Sequence, residues 1–281
     1  MVSLGASRRA LIGSTGARLH LGRQGASALI FVVSLALFVT AWWAVVTVAD
    51  VKSYILPSPG EVWQALWPGL TENPTSRASL LYQFAITFKA AMIGLVVGAA
   101  AGILVGMVAG QFRWFERIFM PYVFAIQSTP KIAIAPLIMI WFGFGITSES
   151  ILAGILAFFP LVVNTFAGMN MVDREQLRLF TALRASKSDI MVRLRLMTAL
   201  PLILAGLEIA VVQALLGAVV AEFIAGQNGI GTQIVLFQSV SNTAGVFAAI
   251  IVLAVAGIAL HGIVKFARTK LIFWQSRGIE A

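Results

Sequence analysis

The feature that most constrains the fold is an apolar run at positions 27–49 that contains no charged side chain. A helix that crosses a membrane needs about 20 mostly apolar residues, and this run is long enough. It is longer than the roughly 7–15 residues of a signal-peptide core. Comparable segments recur at 88–110, 119–141, 151–171, 201–222 and 244–264. The sequence therefore predicts an all-α membrane protein with six transmembrane helices.

Composition excludes a soluble protein, because 59% of the residues are hydrophobic and only 11% are charged. An ordinary soluble domain has about 25% charged residues. A net charge of +9 would suggest nucleic-acid binding in a soluble protein, but membrane proteins accumulate Lys and Arg in cytoplasmic loops. With no cysteine and two histidines, disulfides, thiol chemistry and a His-rich metal site are excluded. We therefore expect no nucleic-acid partner and no bound metal.

The distribution of basic residues predicts the orientation. Six crossings place both termini and the second and fourth interhelical loops on one side, and that side receives sixteen of the 20 Lys and Arg residues. By the positive-inside rule this side is cytoplasmic. We expect a cytoplasmic N-terminal tail at 1–26, a transmembrane domain at 27–264 with a cytoplasmic loop at 173–196, and a cytoplasmic C-terminal tail at 265–281.

Glycines recur at every fourth position of the second predicted span. Glycine lets a second backbone approach closely, which favours helix packing in lipid. The pattern predicts a tightly packed helix pair along Gly94, Gly98, Gly102, Gly106 and Gly110.

The third predicted span is polar near its middle and contains Pro130 and Pro136. Proline disrupts the preceding helical turn, and irregular backbone at membrane depth survives only against protein or a water-filled cavity. Lys131 therefore needs a partner. It attracts an anionic substrate, pairs with a carboxylate such as Glu208, or extends toward an interface.

Polar side chains in the spans are candidates for lining a translocation pathway. Asn164 and Gln213 have no stronger claim to this role than to interhelical hydrogen bonding, and Glu208 is expected to be a structural partner because a proton relay needs several acids. The pathway candidates are Gln127, Ser128, Lys131, Asn164 and Gln213.

Residues 56–61 predict the start of a short extracytoplasmic helix. Ser58 stands as N-cap, Pro59 at the first helical position and Glu61 three residues after the cap, which is a capping box. The helix should run through Trp67, with its apolar side chains Val62, Trp63, Leu66 and Trp67 in the membrane interface.

The cytoplasmic loop at 173–196 has the apolar spacing of two short amphipathic helices joined at Ala185 and Ser186. Asp173 is a candidate cap for the first helix, and Ser186 and Asp189 for the second. Their apolar faces bind either the membrane surface or a groove on a cytoplasmic partner.

Motifs of nucleotide binding and hydrolysis are missing from the sequence, which contains no Gly-x4-Gly-Lys-Ser/Thr, His-Glu-x2-His or Gly-x-Ser-x-Gly. We therefore expect a transport protein and no enzymatic activity in this chain.

Several motifs over residues 55–265 together resemble the permease subunits of ATP-binding-cassette importers, in the branch of the nitrate, sulfonate, taurine and thiamine-precursor systems. The matching stretches are 56–59 (LPSP), 129–137 (TPKIAIAPL), 141–145 (WFGFG), 158–160 (FFP), 164–168 (NTFAG), 199–201 (ALP), 204–206 (LAG), 221–223 (AEF) and 229–231 (GIG).

The resemblance extends to the family's cytoplasmic signature, Glu-Ala-Ala, three residues, Gly, nine residues, Ile-x-Leu-Pro. Alignment places residues 178–180 at Glu-Ala-Ala, Arg184 at the glycine, Leu194 at the isoleucine, Leu196 at the leucine and Met197 at the proline. Only Leu196 is identical.

The resemblance implies a type I importer permease fold in a bacterial inner membrane, with the 173–196 loop as coupling segment. It also implies a second copy of the chain, cytoplasmic ATPase subunits that bind ATP and Mg²⁺, and an extracytoplasmic solute-binding protein. The coupling residues it implies are Leu177, Phe180, Leu183, Arg184, Ser186, Ile190, Leu194 and Leu196.

Two other functions remain open on the sequence. An ATP-independent secondary transporter or channel would need a coupling-ion site near the midplane, for which only Lys131 and Glu208 are available. A membrane scaffold without a pathway would make the polar residues of the third span purely structural.

Overall fold

The structure is a computed structural model that describes residues 29–272, and this part of the chain is helical without a strand. Of the described residues, 29–63 form one compact unit, with α1 and the start of α2, and 64–272 form another. The helices are α1 (Leu29–Val48), α2 (Pro59–Thr71), α3 (Leu80–Gln111), α4 (Arg113–Gln127), α5 (Ala135–Phe142), α6 (Ile146–Met169), α7 (Arg174–Ala182), α8 (Lys187–Asp189), α9 (Leu196–Ala225), α10 (Ile230–Ser239) and α11 (Thr243–Leu271). The all-α prediction is confirmed.

Among residues 29–272, five helical segments are long and apolar enough to cross a membrane on their own: α1, α3, α6, the stretch Lys187–Ile224 and α11. The third predicted span, 119–141, is different. It consists of Arg113–Gln127 and Lys131–Phe142, which bend by 90° at a short break. The predicted break is present, and it falls at Pro130, whose ring cannot supply a backbone donor.

Several helices extend beyond the predicted spans. α3 begins at Leu80, and α11 continues to Leu271, so the predicted C-terminal tail begins inside a helix. The predicted tail 1–26 and residues 273–281 lie outside the described residues.

The core of the second unit is formed by α6, which packs between α3 and α9. The glycines of α3 face α6: a Cβ on Gly102 would lie 2.6 Å from the carbonyl oxygen of Phe158, and one on Gly106 would lie 2.6 Å from Cβ of Thr165. On α9, a Cβ on Gly217 would lie 2.8 Å from Cα of Ala153. Small residues therefore let the three backbones approach closely, as in other membrane bundles.

The predicted capping box of α2 is present. The Ser58 amide donates to Glu61 Oε2 at 2.7 Å, and the Glu61 amide donates to Ser58 Oγ at 3.3 Å. The Ser53 hydroxyl donates to Glu61 Oε1 at 2.8 Å. These hydrogen bonds, led by the one from the Ser58 amide, lower the pKa of Glu61 below its ordinary value.

The course of α2 differs from the prediction in two respects. The helix continues past Trp67 to Thr71. Val62 and Leu66 are buried, and Leu66 packs against Leu80 and Ile230 instead of lying in the membrane interface. The indoles of this helix are more than half exposed, so its apolar residues divide between the core and the surface.

Candidate functional site

The loop that follows α6 begins with the predicted caps. Asp173 Oδ1 accepts a hydrogen bond from the Glu175 amide at 3.1 Å, which starts α7. Ser186 Oγ accepts from the Asp189 amide at 3.1 Å and donates to the Asp189 carboxylate at 2.6 Å. The capping predictions for Asp173 and Ser186 are confirmed, whereas the Asp189 side chain makes no capping hydrogen bond.

The second amphipathic helix is not a separate element, which corrects the sequence analysis. α8 continues through a π-helical segment, Ile190–Arg195, directly into α9. Pro201, where the fifth span was predicted to begin, lies inside this continuous helix. The second half of the predicted coupling segment is therefore part of the helix that continues into α9.

The turn between α7 and α8 contains a residue in the left-handed region. Arg184 has φ of 53°, a conformation that side chains other than glycine adopt at a cost of about 1–2 kcal/mol. This is the position that aligns with the glycine of the family signature. The backbone thus adopts a conformation suited to glycine although the side chain differs.

The most exposed apolar side chains of the coupling segment lie on α7 and the residue after it. Leu179 is 58% exposed and Leu183 is 71% exposed, and they are four residues apart on one helical face. Leu179 was missed in the list of coupling residues, although its spacing from Leu183 was visible in the sequence.

Other predicted coupling residues are less accessible. Leu194 is 7% exposed, so it belongs to the protein interior and is not available as a contact. Leu177, Phe180, Ile190 and Leu196 are partly buried. Arg184 and Ser186 are exposed at the turn. The most accessible apolar surface is therefore at the end of α7 and this turn, and Val192, 49% exposed, lies beyond it on the π-helical segment.

The break in the third span is held by local hydrogen bonds. Lys131 Nζ donates to the Gln127 carbonyl at 2.9 Å and lies 5.2 Å from the centre of the Phe159 ring on α6. Ser128 Oγ donates to the Phe124 carbonyl at 3.0 Å. Gln127 and Ser128 remain exposed. Lys131 is thus partnered by a carbonyl and an aromatic face.

The suggested pair between Lys131 and Glu208 was wrong. Glu208 Oε1 lies 3.2 Å from Arg268 Nη1, and the Glu208 side chain is 13% exposed. This ion pair joins α9 to the end of α11. Its two members are sixty residues apart, a separation that local sequence patterns do not report.

The remaining pathway candidates lie apart from the break. Asn164 Nδ2 donates to the Pro160 carbonyl at 2.8 Å, and a Cβ on Gly206 would lie 2.9 Å from Asn164 Cβ, which places Asn164 between α6 and α9. Gln213 is partly buried on α9. Among residues 29–272, no hydrogen bond joins either side chain to Gln127 or Lys131.

A buried polar site at the junction of α9 and α10 was not anticipated. Glu222, 2% exposed, accepts from the Gly231 amide at 2.7 Å. The Gly229 amide donates to Gln83 Oε1 at 2.7 Å, and the Ile230 amide donates to Thr87 Oγ1 at 2.9 Å. Side chains of α9 and α3 thus accept hydrogen bonds from the first amides of α10. The family motifs at 221–223 and 229–231 were the sequence features that could have indicated this site.

Comparison with known proteins identifies the family. The family model described as "Binding-protein-dependent transport system inner membrane component" matches residues 100–272, which is more than half of the chain. This chain belongs to that family. It is a multi-pass inner-membrane permease subunit of a binding-protein-dependent importer of the ATP-binding-cassette type.

Two curated relatives support this assignment. The permease is 31% identical to the riboflavin transport system permease protein RibX of Chloroflexus aurantiacus, over 87% of this chain and 89% of that protein. It is also 31% identical to the taurine transport system permease protein TauC of Escherichia coli, over 83% and 82%. Both alignments cover most of each chain, so the likeness is not confined to one motif.

A solved structure supports the fold alone. The permease superposes on a chain from a crystal structure of an amino acid ABC transporter with histidines, with a TM-score of 0.54 and 18% identity, over 68% of this chain and 92% of that chain. The helical permease fold expected from the sequence is therefore confirmed.

Proposed function

We propose that this permease imports a small organic or inorganic solute and is driven by two cytoplasmic ATPase subunits that dock on the end of α7. The observation that carries the proposal is the pair of exposed leucines at 179 and 183, which form an apolar surface on the loop between two spans. Apolar helix faces of this kind bind grooves on partner proteins. ATP and Mg²⁺ are held by the ATPases, and this chain contributes to coupling and not to hydrolysis.

The proposed orientation places α7 and both termini in the cytoplasm. Arg174, Arg178 and Arg184 lie on this loop, together with Lys187 and Arg193. The positive-inside rule favours the cytoplasmic side for such a cluster. An extracytoplasmic solute-binding protein then docks at the opposite face, in keeping with the family description, and a second copy of the chain completes the pathway.

The break in the third span is the proposed polar lining of that pathway. Gln127 and Ser128 are exposed at the bend, and Lys131 is held beside them. Irregular backbone at membrane depth requires protein or water around it. Asn164 and Gln213 remain pathway predictions, although Asn164 already has a packing role between helices.

The proposed substrate class is limited to small solutes. RibX is named for riboflavin and TauC for taurine, yet the permease is 31% identical to each. Riboflavin is a large heterocycle and taurine a small sulfonate, so we place selection between solutes mainly in the binding protein.

The docking proposal is tested by changing the exposed leucines to aspartate. In Leu179→Asp/Leu183→Asp, two charges would have to be buried at the contact, so we expect the ATPase to be lost from the complex purified in detergent. The matched control is Val240→Asp, which changes an apolar side chain of similar exposure, 66%, beyond α10. The control should keep the ATPase.

Two results would contradict the proposal. Full ATPase retention by the double variant would exclude this face as the docking surface. Solute uptake by the wild-type permease alone, without ATPase or binding protein, would favour the secondary-transporter alternative. Leu194→Asp is unsuitable as a test, because Leu194 is buried and the variant would perturb folding.

A further inference from the structure

A polar pocket of about 670 Å³ lies where α3 and α6 end, beside the π-helical segment that leads into α9. Gly110 and Gln111 belong to the last turn of α3, Asn170 directly follows α6, and Arg195 directly precedes α9. The ends of membrane-spanning helices lie at the level of the lipid headgroups. The pocket therefore opens at the boundary between the hydrocarbon region and water.

The pocket is positively charged. Arg113, Arg117 and Arg195 line it, with Glu116 as the acidic lining residue. Ion pairs in the described part of the chain join other residues, so none of these three arginines is neutralised by a carboxylate within 4 Å. The charges are available to an anion.

One of the arginines is held in place by the protein. Arg195 Nη1 donates to the Gly110 carbonyl at 3.0 Å and to Gln111 Oε1 at 3.0 Å. These two bonds use a single nitrogen of the guanidinium group, which has five N–H donors in total. The remaining donors are left for a ligand with several acceptor oxygens, and phosphate is such a ligand.

The start of α4 adds further donors. The residue before the helix is Phe112, whose side chain makes no capping hydrogen bond. The amides of the first turn have no acceptor within the helix, and the positive end of the helix dipole favours an anion there. Arg113 and Arg117, one turn apart, lie on the same side of this helix.

The surroundings favour a lipid over a soluble anion. Trp114 is 64% exposed and Ile118 is 56% exposed on the same two turns of α4. Indole rings prefer the membrane interface, and basic pockets between spans bind anionic headgroups. We propose that the pocket binds the phosphate headgroup of an anionic phospholipid, with Arg113, Arg117 and Arg195 as its charged contacts.

The test measures lipid binding to the purified permease with its partner subunits in detergent, titrated with phosphatidylglycerol and phosphatidylcholine and read by native mass spectrometry. Wild type should prefer phosphatidylglycerol. Each basic residue near an anionic headgroup contributes about a fivefold change in affinity, so Arg113→Gln/Arg117→Gln should weaken phosphatidylglycerol binding about 30-fold. Phosphatidylcholine binding should not change.

A matched control and a gain-of-affinity variant keep the test independent of folding. Lys265→Gln/Lys270→Gln removes the same charge from exposed positions of α11 and should change the affinity less than about twofold. Glu116→Gln removes the carboxylate of the pocket and should tighten phosphatidylglycerol binding about fivefold.

Three results would overturn the proposal. Equal losses in Arg113→Gln/Arg117→Gln and in Lys265→Gln/Lys270→Gln would show a general charge effect. Binding of inorganic phosphate with the same arginine dependence, without any preference for phosphatidylglycerol, would make this a soluble-anion site. Loss of the ATPase from Arg113→Gln/Arg117→Gln with unchanged lipid binding would make the pocket a subunit contact.

Discussion

Replacing Gly98 with alanine should destabilise the permease, because the added Cβ has no room. It would overlap the carbonyl oxygen of Gly154 on α6 and would lie 2.9 Å from Gly154 Cα. Ordinary contacts of a Cβ are 3.4 Å or longer. Backbone atoms cannot rotate away, so α3 and α6 must separate by roughly 1 Å.

The magnitude follows from two opposing effects. Overpacking costs about 1–3 kcal/mol, and the upper end applies here because both contacting groups are backbone. Alanine is better than glycine in a helix by about 1 kcal/mol, which offsets part of this. The expected net loss for Gly98→Ala is about 2 kcal/mol, or roughly 30-fold in the unfolding equilibrium constant.

The control is Gly262→Ala on α11, where an added Cβ meets nothing within 4 Å. This variant gains the helical preference of alanine without the clash. Its free energy of unfolding should therefore be the same as that of wild type or higher, by at most about 1 kcal/mol. The assay is reversible unfolding of the purified proteins in detergent, followed by circular dichroism. Equal stabilities of Gly98→Ala and Gly262→Ala would refute the close-packing argument.

Three further predictions rest on single residues. Arg184→Gly should stabilise the protein by about 0.5–1 kcal/mol in the same unfolding assay, because φ at this position is 53°, whereas Arg178→Gly inside α7 should destabilise it by about 1 kcal/mol. Glu208→Gln should lower stability by about 1–3 kcal/mol by leaving Arg268 unpaired, and Arg268→Gln in the same chain should recover most of the loss; additive losses would argue against the ion pair. Because the pKa of Glu61 is lowered on folding, its hydrogen bonds contribute fully above the ordinary value of 4.5 and less as the pH falls through the lowered pKa, so the stability difference between wild type and Glu61→Gln should shrink on acidification. A difference that is constant with pH would contradict this role of the capping box.

Local patterns in the sequence predicted much of the fold. Long apolar runs located the spans, because lipid leaves a helix no alternative way to satisfy its backbone. The helix caps were also visible in the sequence, because each capping side chain bonds an amide only two or three residues away. These caps are Asp173, Ser186 and the Ser58–Glu61 box. These features depend on neighbours along the chain.

The missed features depend on residues that are distant in sequence. α3 extends back to Leu80 because its polar residues Gln83 and Thr87 are satisfied by amides near residue 230, which hydropathy alone cannot indicate. The ion pair of Glu208 was also missed, because its partner Arg268 lies on another helix, α11. The prolines in the third span predicted a break, but local patterns do not indicate the 90° angle of the bend.

The central claim is that this permease transports its solute only when a binding protein delivers it and an ATPase hydrolyses ATP. The direct measurement is solute uptake into proteoliposomes that contain the permease and its ATPase, with the solute-loaded binding protein outside and ATP inside. The account predicts uptake that stops when ATP or the binding protein is omitted, and when Leu179→Asp/Leu183→Asp replaces wild type. Uptake that continues in the absence of both ATP and the binding protein would contradict it.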